Sequence, residues 1–166
     1  MRFTAEHRFQ GSPAAVAAIL ADPGFYVGLK LPDLSQPDVL DQSTAGDTAV
    51  LRLRDLFLGS LPPVARRLLG KRQLAWVQEV KVNGVTGSGE ITFQAEAEPK
   101  RLHGSANFTL QPVALQSVET GTVQQLTGEV VVAVPVVGAR AEKQIVAGLQ
   151  RRLDIEAASL DDRLSA

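Results

Sequence analysis

The sequence predicts an α+β fold: a curved seven-stranded antiparallel sheet wrapped around one long C-terminal helix, with two short helices between the first and second strands. Three observations predict it. A strand-like run, Gly128 to Val134, stops at Pro135 and is followed by a proline-free segment from about Ala139 to Arg163. That segment carries one apolar stripe, Val146, Leu149, Leu153, Ala157, Leu160 and Leu164, in steps of three and four, which is the helical period. A helix of about 25 residues is roughly 37 Å long and needs one broad surface to cover. Upstream of it, apolar and polar residues alternate strand after strand, as expected of a sheet with one solvated face.

Residues 2 to 9 form the first strand, with Phe3, Ala5, His7 and Phe9 on one face and Arg2, Thr4, Glu6 and Arg8 on the other. Ser12 is a good helix N-cap and Pro13 fits the first helical position, where no donor is lost. Val16, Ile19 and Leu20 give this helix its apolar side. Asp22-Pro23 interrupts it, and a second short helix or turn carries Phe25, Tyr26 and Leu29. Strands are then predicted at about 38–43 and 48–57, separated by a turn at Ala45-Gly46-Asp47. A break over 58–72 contains Pro62-Pro63 and a helical turn or two at 64–69, closed by Gly70. Strand four covers 73–82. Asn83-Gly84 signals a hairpin whose loop runs through Gly89. Strands five, six and seven follow at 90–97, 101–111 and 122–134, the last two joined by a polar loop around 116–121. Asp55 interrupts the apolar run of Leu51 and Leu53, so a bulge or strand end is expected there.

At 166 residues the chain suits one domain spanning 1–166. A formal charge of −1 creates no field to attract nucleic acid, and none is expected as a partner. Cysteine is absent, which removes disulfides, thiolate catalysis and cysteine metal sites together. The opening residues lack a signal-peptide apolar core. No stretch approaches the ~20 apolar residues needed to span a bilayer. The chain reads as cytoplasmic, with no stable membrane insertion. Arginine outnumbers lysine twelve to five, a bias that suits a GC-rich genome.

Local motifs carry a resemblance. The opening Met1-Arg2-Phe3-Thr4-Ala5-Glu6-His7-Arg8-Phe9, then Ser12-Pro13 and Ala21-Asp22-Pro23-Gly24-Phe25, resembles that of a mainly actinobacterial, uncharacterised family within the START-like (SRPBCC, helix-grip) superfamily. The run Gly128 to Gly138, with Glu142 after it, resembles the family's closing motif. The similarity covers nearly the whole chain. It implies a hydrophobic-ligand cavity between the sheet and the C-terminal helix, and it transfers no catalytic residue.

The face assigned to that cavity holds Phe3, His7, Leu51, Leu53, Trp76, Phe93, Phe108 and Leu126, with Ile145 or Val146 and Leu149 from the helix and Phe25 or Tyr26 from the second short helix. Alternation alone does not separate a ligand pocket from a packed core, since both need the same pattern. His7 lies where alternation expects Val or Ile. It is either a polar handle or acid/base group, or a core histidine hydrogen-bonded to a neighbour. Gln78 shares the Trp76 face and is a candidate pocket donor, although Leu74 and Val77 leave the phase of this strand open. Asp154, Glu156, Asp161 and Asp162 are expected on the solvated face of the helix. Arg66, Arg67, Lys71 and Arg72, with Leu61, Val64, Leu68 and Leu69, form a short basic amphipathic segment. It either rests weakly on an anionic membrane through residues 61–72 or buries its leucines on the sheet.

Standard chemistry is mostly missing. His7 and His103 do not build a three-ligand catalytic zinc site without carboxylate help, so no metal or cofactor is expected. The run Gly84 to Gly89 lies between strands, whereas a phosphate-cradling loop opens a helix. Three functions follow for comparison. The first is binding or carriage of a hydrophobic small molecule, lipid or polyketide-like. The second is a cyclase, aromatase or dehydratase acting in the same cavity through His7 and Tyr26. The third is a protein-interaction domain with a filled core and an exposed apolar patch. The oligomeric state is left open.

Overall fold

The computed structural model describes residues 1–116 and 118–166, with the side chains of Val64, Leu68, Val118 and Glu119 also outside the description. Its elements are β1 (Arg2–Phe9), α1 (Pro13–Leu20), α2 (Pro23–Gly28), β2 (Asp38–Ala45), β3 (Thr48–Leu56), α3 (Pro63–Leu69), β4 (Ala75–Asn83), β5 (Ser88–Ala95), β6 (Leu102–Leu115), β7 (Val118–Val132) and α4 (Gly138–Ser165). The seven strands form one sheet in the order β1-β7-β6-β5-β4-β3-β2, antiparallel at every pairing. Two helices between β1 and β2 let the chain cross from one edge of the sheet to the other.

The short helices start where the caps dictate. Ser12 Oγ accepts from the Ala15 N–H at 3.2 Å. Asp22 Oδ1 accepts from the Gly24 N–H at 2.9 Å. Each satisfies an N–H that has no partner inside its helix.

Several boundaries differ from expectation. The β6–β7 pairing continues to Leu115↔Val118, so the polar loop expected over 116–121 is a hairpin tip, of which Ser117 lies outside the described residues. Hydrogen bonds hold this mostly exposed ribbon, and a hydrophobic pattern has nothing to report there. The β4–β5 loop is also tighter than expected. Asn83 Oδ1 accepts from the N–H groups of Val85 at 3.0 Å and Thr86 at 2.9 Å. Gly87 turns the chain at φ 66°, and β5 begins at Ser88. Of the two outcomes expected at Asp55, no bulge forms, since the register runs unbroken through Asp55↔Trp76, and the strand end follows one residue later at Leu56, so an acid sits at the last core position of a regular strand. The phase of β4 is settled by burial of Gln78, Val80 and Val82 on one face. In the basic segment α3 ends at Gly70 as expected, and Leu69 is buried.

Three aromatic rings of the inner face lie over glycines on the neighbouring strand. Phe3 pairs with Gly128, Phe93 with Gly104 and Phe108 with Gly89. A methyl group would lie 2.7 Å from Phe3 Cζ at Gly128, 2.4 Å from Phe93 Cε1 at Gly104 and 2.0 Å from Phe108 Cζ at Gly89. The missing side chains let the rings lie down on the sheet, a pairing that accompanies strand curvature.

Helix α4 is fastened at both ends. A methyl at Gly138 would stand 2.5 Å from the Val132 carbonyl oxygen, so only glycine lets the helix start this close to β7. Glu142 reaches back to accept from the Val132 N–H at 3.0 Å and from the Met1 amine at 3.1 Å. At the far end Asp161 Oδ1 accepts from the Gln10 N–H at 2.9 Å. Arg163 donates to Asp22 at 3.0 Å and stands 5.4 Å from the centre of the Phe25 ring. Between these anchors Leu153, Ala157 and Leu160 meet the core built by Phe9, Val16, Leu20, Phe25, Leu51, Leu53 and Val80.

Candidate functional site

The middle of α4 and the inner face of the sheet enclose a small cavity. Its walls are Phe9, Val80, Ile91, Phe108 and Leu126 from the strands, Leu20 from α1, and Leu153, Ala157 and Leu160 from α4. Four polar side chains enter it: Tyr26, Gln78, Gln124 and Glu156. The space left is about 20 Å³, enough for roughly one water molecule.

Behind the polar side chains lies a cluster of charge. Arg152 Nε donates to Glu156 Oε1 at 2.7 Å, one helical turn on. Its Nη1 points across to β3 and stands 3.6 Å from Asp55 Oδ2. Asp55 is fully buried, and neither carboxylate oxygen has a donor with hydrogen-bond geometry. The Trp76 indole, opposite Asp55 in the β3–β4 ladder, is near enough to favour the ionised form without closing such a bond. Burial pushes the Asp55 carboxyl above its ordinary pKa, the Arg152 guanidinium opposes this, and the Glu156 carboxylate adds to the rise. Burial lowers and the two neighbouring carboxylates raise the Arg152 value, and the net direction is upward. Burial likewise drives the Tyr26 phenol far above the usual range, so it stays neutral. Tyr26 donates its hydroxyl to the Leu20 carbonyl at 3.0 Å, as a buried phenol must.

The candidates read from the sequence fall into three groups. Tyr26, Phe108 and Leu126 line the cavity, and so does Gln78. Phe25, Leu51 and Leu53 are buried in the core behind it, with Phe25 edge-on to Tyr26 at 5.2 Å. His7, Trp76, Phe93, Ile145 and Leu149 are half-buried and do not line it. His7 faces α4, but its Nε2 lies 2.9 Å from Asp154 Oδ1 on the exposed flank of that helix. Trp76 stands beside Asp55, and Phe93 covers Gly104.

Sequence reasoning missed Asp55, Gln124, Arg152 and Glu156 as members of the site. Glu156 requires a correction, since its side chain is only 12% exposed and not on the solvated face. The buried arc of α4 is wider than its leucine stripe, and Arg152, Glu156 and Leu160 run along one side of it at spacings of four. The signal was Asp55, which keeps the phase of Leu51 and Leu53 and so had to be buried near a cation.

The chain matches a family model described as protein of unknown function (DUF2505) over residues 4–164, and it belongs to that family. No curated protein matches it. Among solved structures it is similar to the Zhui aromatase/cyclase from Streptomyces sp. R1128, with TM-score 0.64 and 12% identity over 98% of this chain and 92% of that one. It is similar to a START superfamily protein from Mycobacterium smegmatis, with TM-score 0.55 and 14% identity over 99% and 97%. It is also similar to norcoclaurine synthase from Thalictrum flavum, with TM-score 0.61 and 12% identity over 99% and 86%. At these identities the likeness establishes the START-like helix-grip fold. An aromatase/cyclase and a norcoclaurine synthase both carry this fold, so the fold alone does not select a function.

Proposed function

We propose that this member of the DUF2505 family binds a hydrophobic small molecule, lipid or polyketide-like, between the inner face of the sheet and the middle of α4. The observation that carries the reading is the lining itself. Four polar side chains, Tyr26, Gln78, Gln124 and Glu156, converge within an apolar layer, the composition of a site that buries a guest and fixes its orientation. A packed core gains nothing from them.

The closed cavity of about 20 Å³ sets the mechanism: the guest enters by displacing part of the wall. Helix α4 is tied at both ends, at the far end to Asp22 and Phe25 of α2, so the moving part is the connection carrying α3, which leaves β3 next to Asp55 and returns to β4 next to Trp76. Driving force is apolar area removed from water, about 25 cal/mol per Å², less the ordering of the moving segment. Exposed Arg66, Arg67, Lys71 and Arg72 give residues 61–72 a weak peripheral affinity for an anionic surface. Among the described residues no helix is long and apolar enough to cross a membrane. The reading places the protein in the cytoplasm.

The small volume favours one rival, a protein-interaction domain with a filled core, for which Val39, Leu40 and Leu58 supply exposed apolar surface. The upward pKa of Asp55 favours catalysis in the same cavity as a further development of the first reading. A thermal-shift panel of single-chain lipids and polycyclic aromatics tests the choice. The proposal expects a rise in Tm with at least one class. No rise with any of them overturns it in favour of the protein partner.

A further inference from the structure

The lining residues of the central strands fall on one diagonal of the inner face, and the register gives their order. Val80 of β4 stands opposite Ile91 of β5, and Ile91 opposite Ala106 of β6. Two residues further along β6 comes Phe108, opposite Leu126 of β7. Together they make an apolar stripe. Gln78 lies two residues beyond Val80 at one end of it, and Gln124 two residues beyond Leu126 at the other. All of these residues except Ala106 border the cavity. Three strand spacings and six residues of register separate the two glutamines, about 14 Å across the strands and about 20 Å along them on a flat sheet. Curvature and the inward reach of both side chains bring the amides closer than that.

The other two polar groups of the lining are occupied. Tyr26 donates to the Leu20 carbonyl, and Glu156 accepts from Arg152. Gln78 and Gln124 are 7% and 8% exposed, and among the described residues neither side-chain amide has a hydrogen-bond partner, while both border the cavity. A buried carboxamide without a partner costs stability, and packing of the stripe does not call for one at either end. Each amide offers two N–H donors and one carbonyl acceptor and carries no charge. It suits a hydroxyl or carbonyl oxygen of a neutral molecule. An anionic end would enter a lining that already holds the Glu156 carboxylate. Because the amides stand at opposite ends of the stripe, a guest lying along it meets one at each end.

Resting on the cavity reading above, we propose that the guest is a neutral molecule with an apolar middle and a hydrogen-bonding oxygen at each end, one held by Gln78 and the other by Gln124. Its test is isothermal titration at pH 7 with three probes of equal chain length, 1,10-decanediol, 1-decanol and decanedioate. A merely apolar cavity prefers decanol, since burying a second hydroxyl without a partner is costly. The expected result is the reverse, with the diol bound at least threefold tighter than decanol and decanedioate weakest. In Gln78→Leu and in Gln124→Leu, each of which leaves one end of the stripe apolar, the order turns over and decanol binds at least threefold tighter than the diol. Equal or tighter binding of decanol or decanedioate by the unmodified protein overturns the proposal and leaves the cavity reading standing. So does a preference for the diol that survives both substitutions. Absence of binding by all three probes overturns both. Should either variant fail to fold, the ranking of the three probes on the unmodified protein decides.

Discussion

Arg152 and Asp55 face each other across the gap between α4 and β3, 3.6 Å apart, with 10% and 1% of their side chains exposed. Neither closes its contact fully, and burial outweighs the attraction at Asp55, whose pKa is raised. A raised carboxyl pKa means that the native state binds the proton more tightly than the unfolded chain does. Native stability from this group is therefore intact below the ordinary value of 3.8 and is lost as pH rises through the native value. Asp55→Asn removes the titration. Urea melts should show the variant more stable than the original at pH 7, with the difference shrinking as pH falls toward 4. A variant less stable at pH 7 would mean that Asp55 is held by Arg152 more firmly than the geometry allows.

Glu142 titrates in the opposite sense. The Val132 N–H, and after it the Met1 amine, hold its carboxyl below the ordinary range. Its contribution is present above the unfolded value and is lost as pH falls through the lowered one. Glu142→Gln should lower Tm at pH 7 and lower it less at pH 3, because the charged carboxylate holds the Val132 N–H and the Met1 amine most strongly. An equal loss at both pH values would assign the effect to packing.

Most of the fold was legible in the sequence because most of its elements bury one face. The 3–4 stripe of α4, the Ser12-Pro13 and Asp22-Pro23 caps and the alternation of β1 each report a side turned from water. Illegible parts lack that asymmetry. The β6–β7 hairpin extends into solvent, where hydrogen bonding sustains it without an apolar face. The charged site was hidden for a different reason. Arg152 and Glu156 have the spacing of an ordinary exposed helix pair, and only the packing of α4 over Tyr26 and Gln78 buries them. Asp55 was visible as an anomaly in a core phase. Its partner lay about a hundred residues away, beyond what periodicity relates.

The rings that lie on glycines predict intolerance at those positions. At Gly104 a methyl would meet Phe93 at 2.4 Å and the Glu129 carbonyl oxygen at 2.8 Å. Since one neighbour is backbone, a side-chain shift does not relieve both. Gly104→Ala should destabilise by about 1–3 kcal/mol, read from urea melts. A neutral substitution would show that the sheet flattens at no cost.

His7 and Asp154 make a contact whose acid is 74% exposed. Asp154→Ala should therefore lower stability by less than about 1 kcal/mol and leave guest binding unchanged in a titration. A tenfold loss of binding would move His7 into the site.

The central claim is that the layer between α4 and the sheet opens to hold a guest. Native mass spectrometry of the freshly purified protein, followed by denaturing extraction and identification of what is released, tests it most directly. The account predicts one apolar molecule per chain, absent from an Ala157→Phe variant in which the added ring fills the cavity. A clean protein mass, with nothing apolar released from either form, would contradict it.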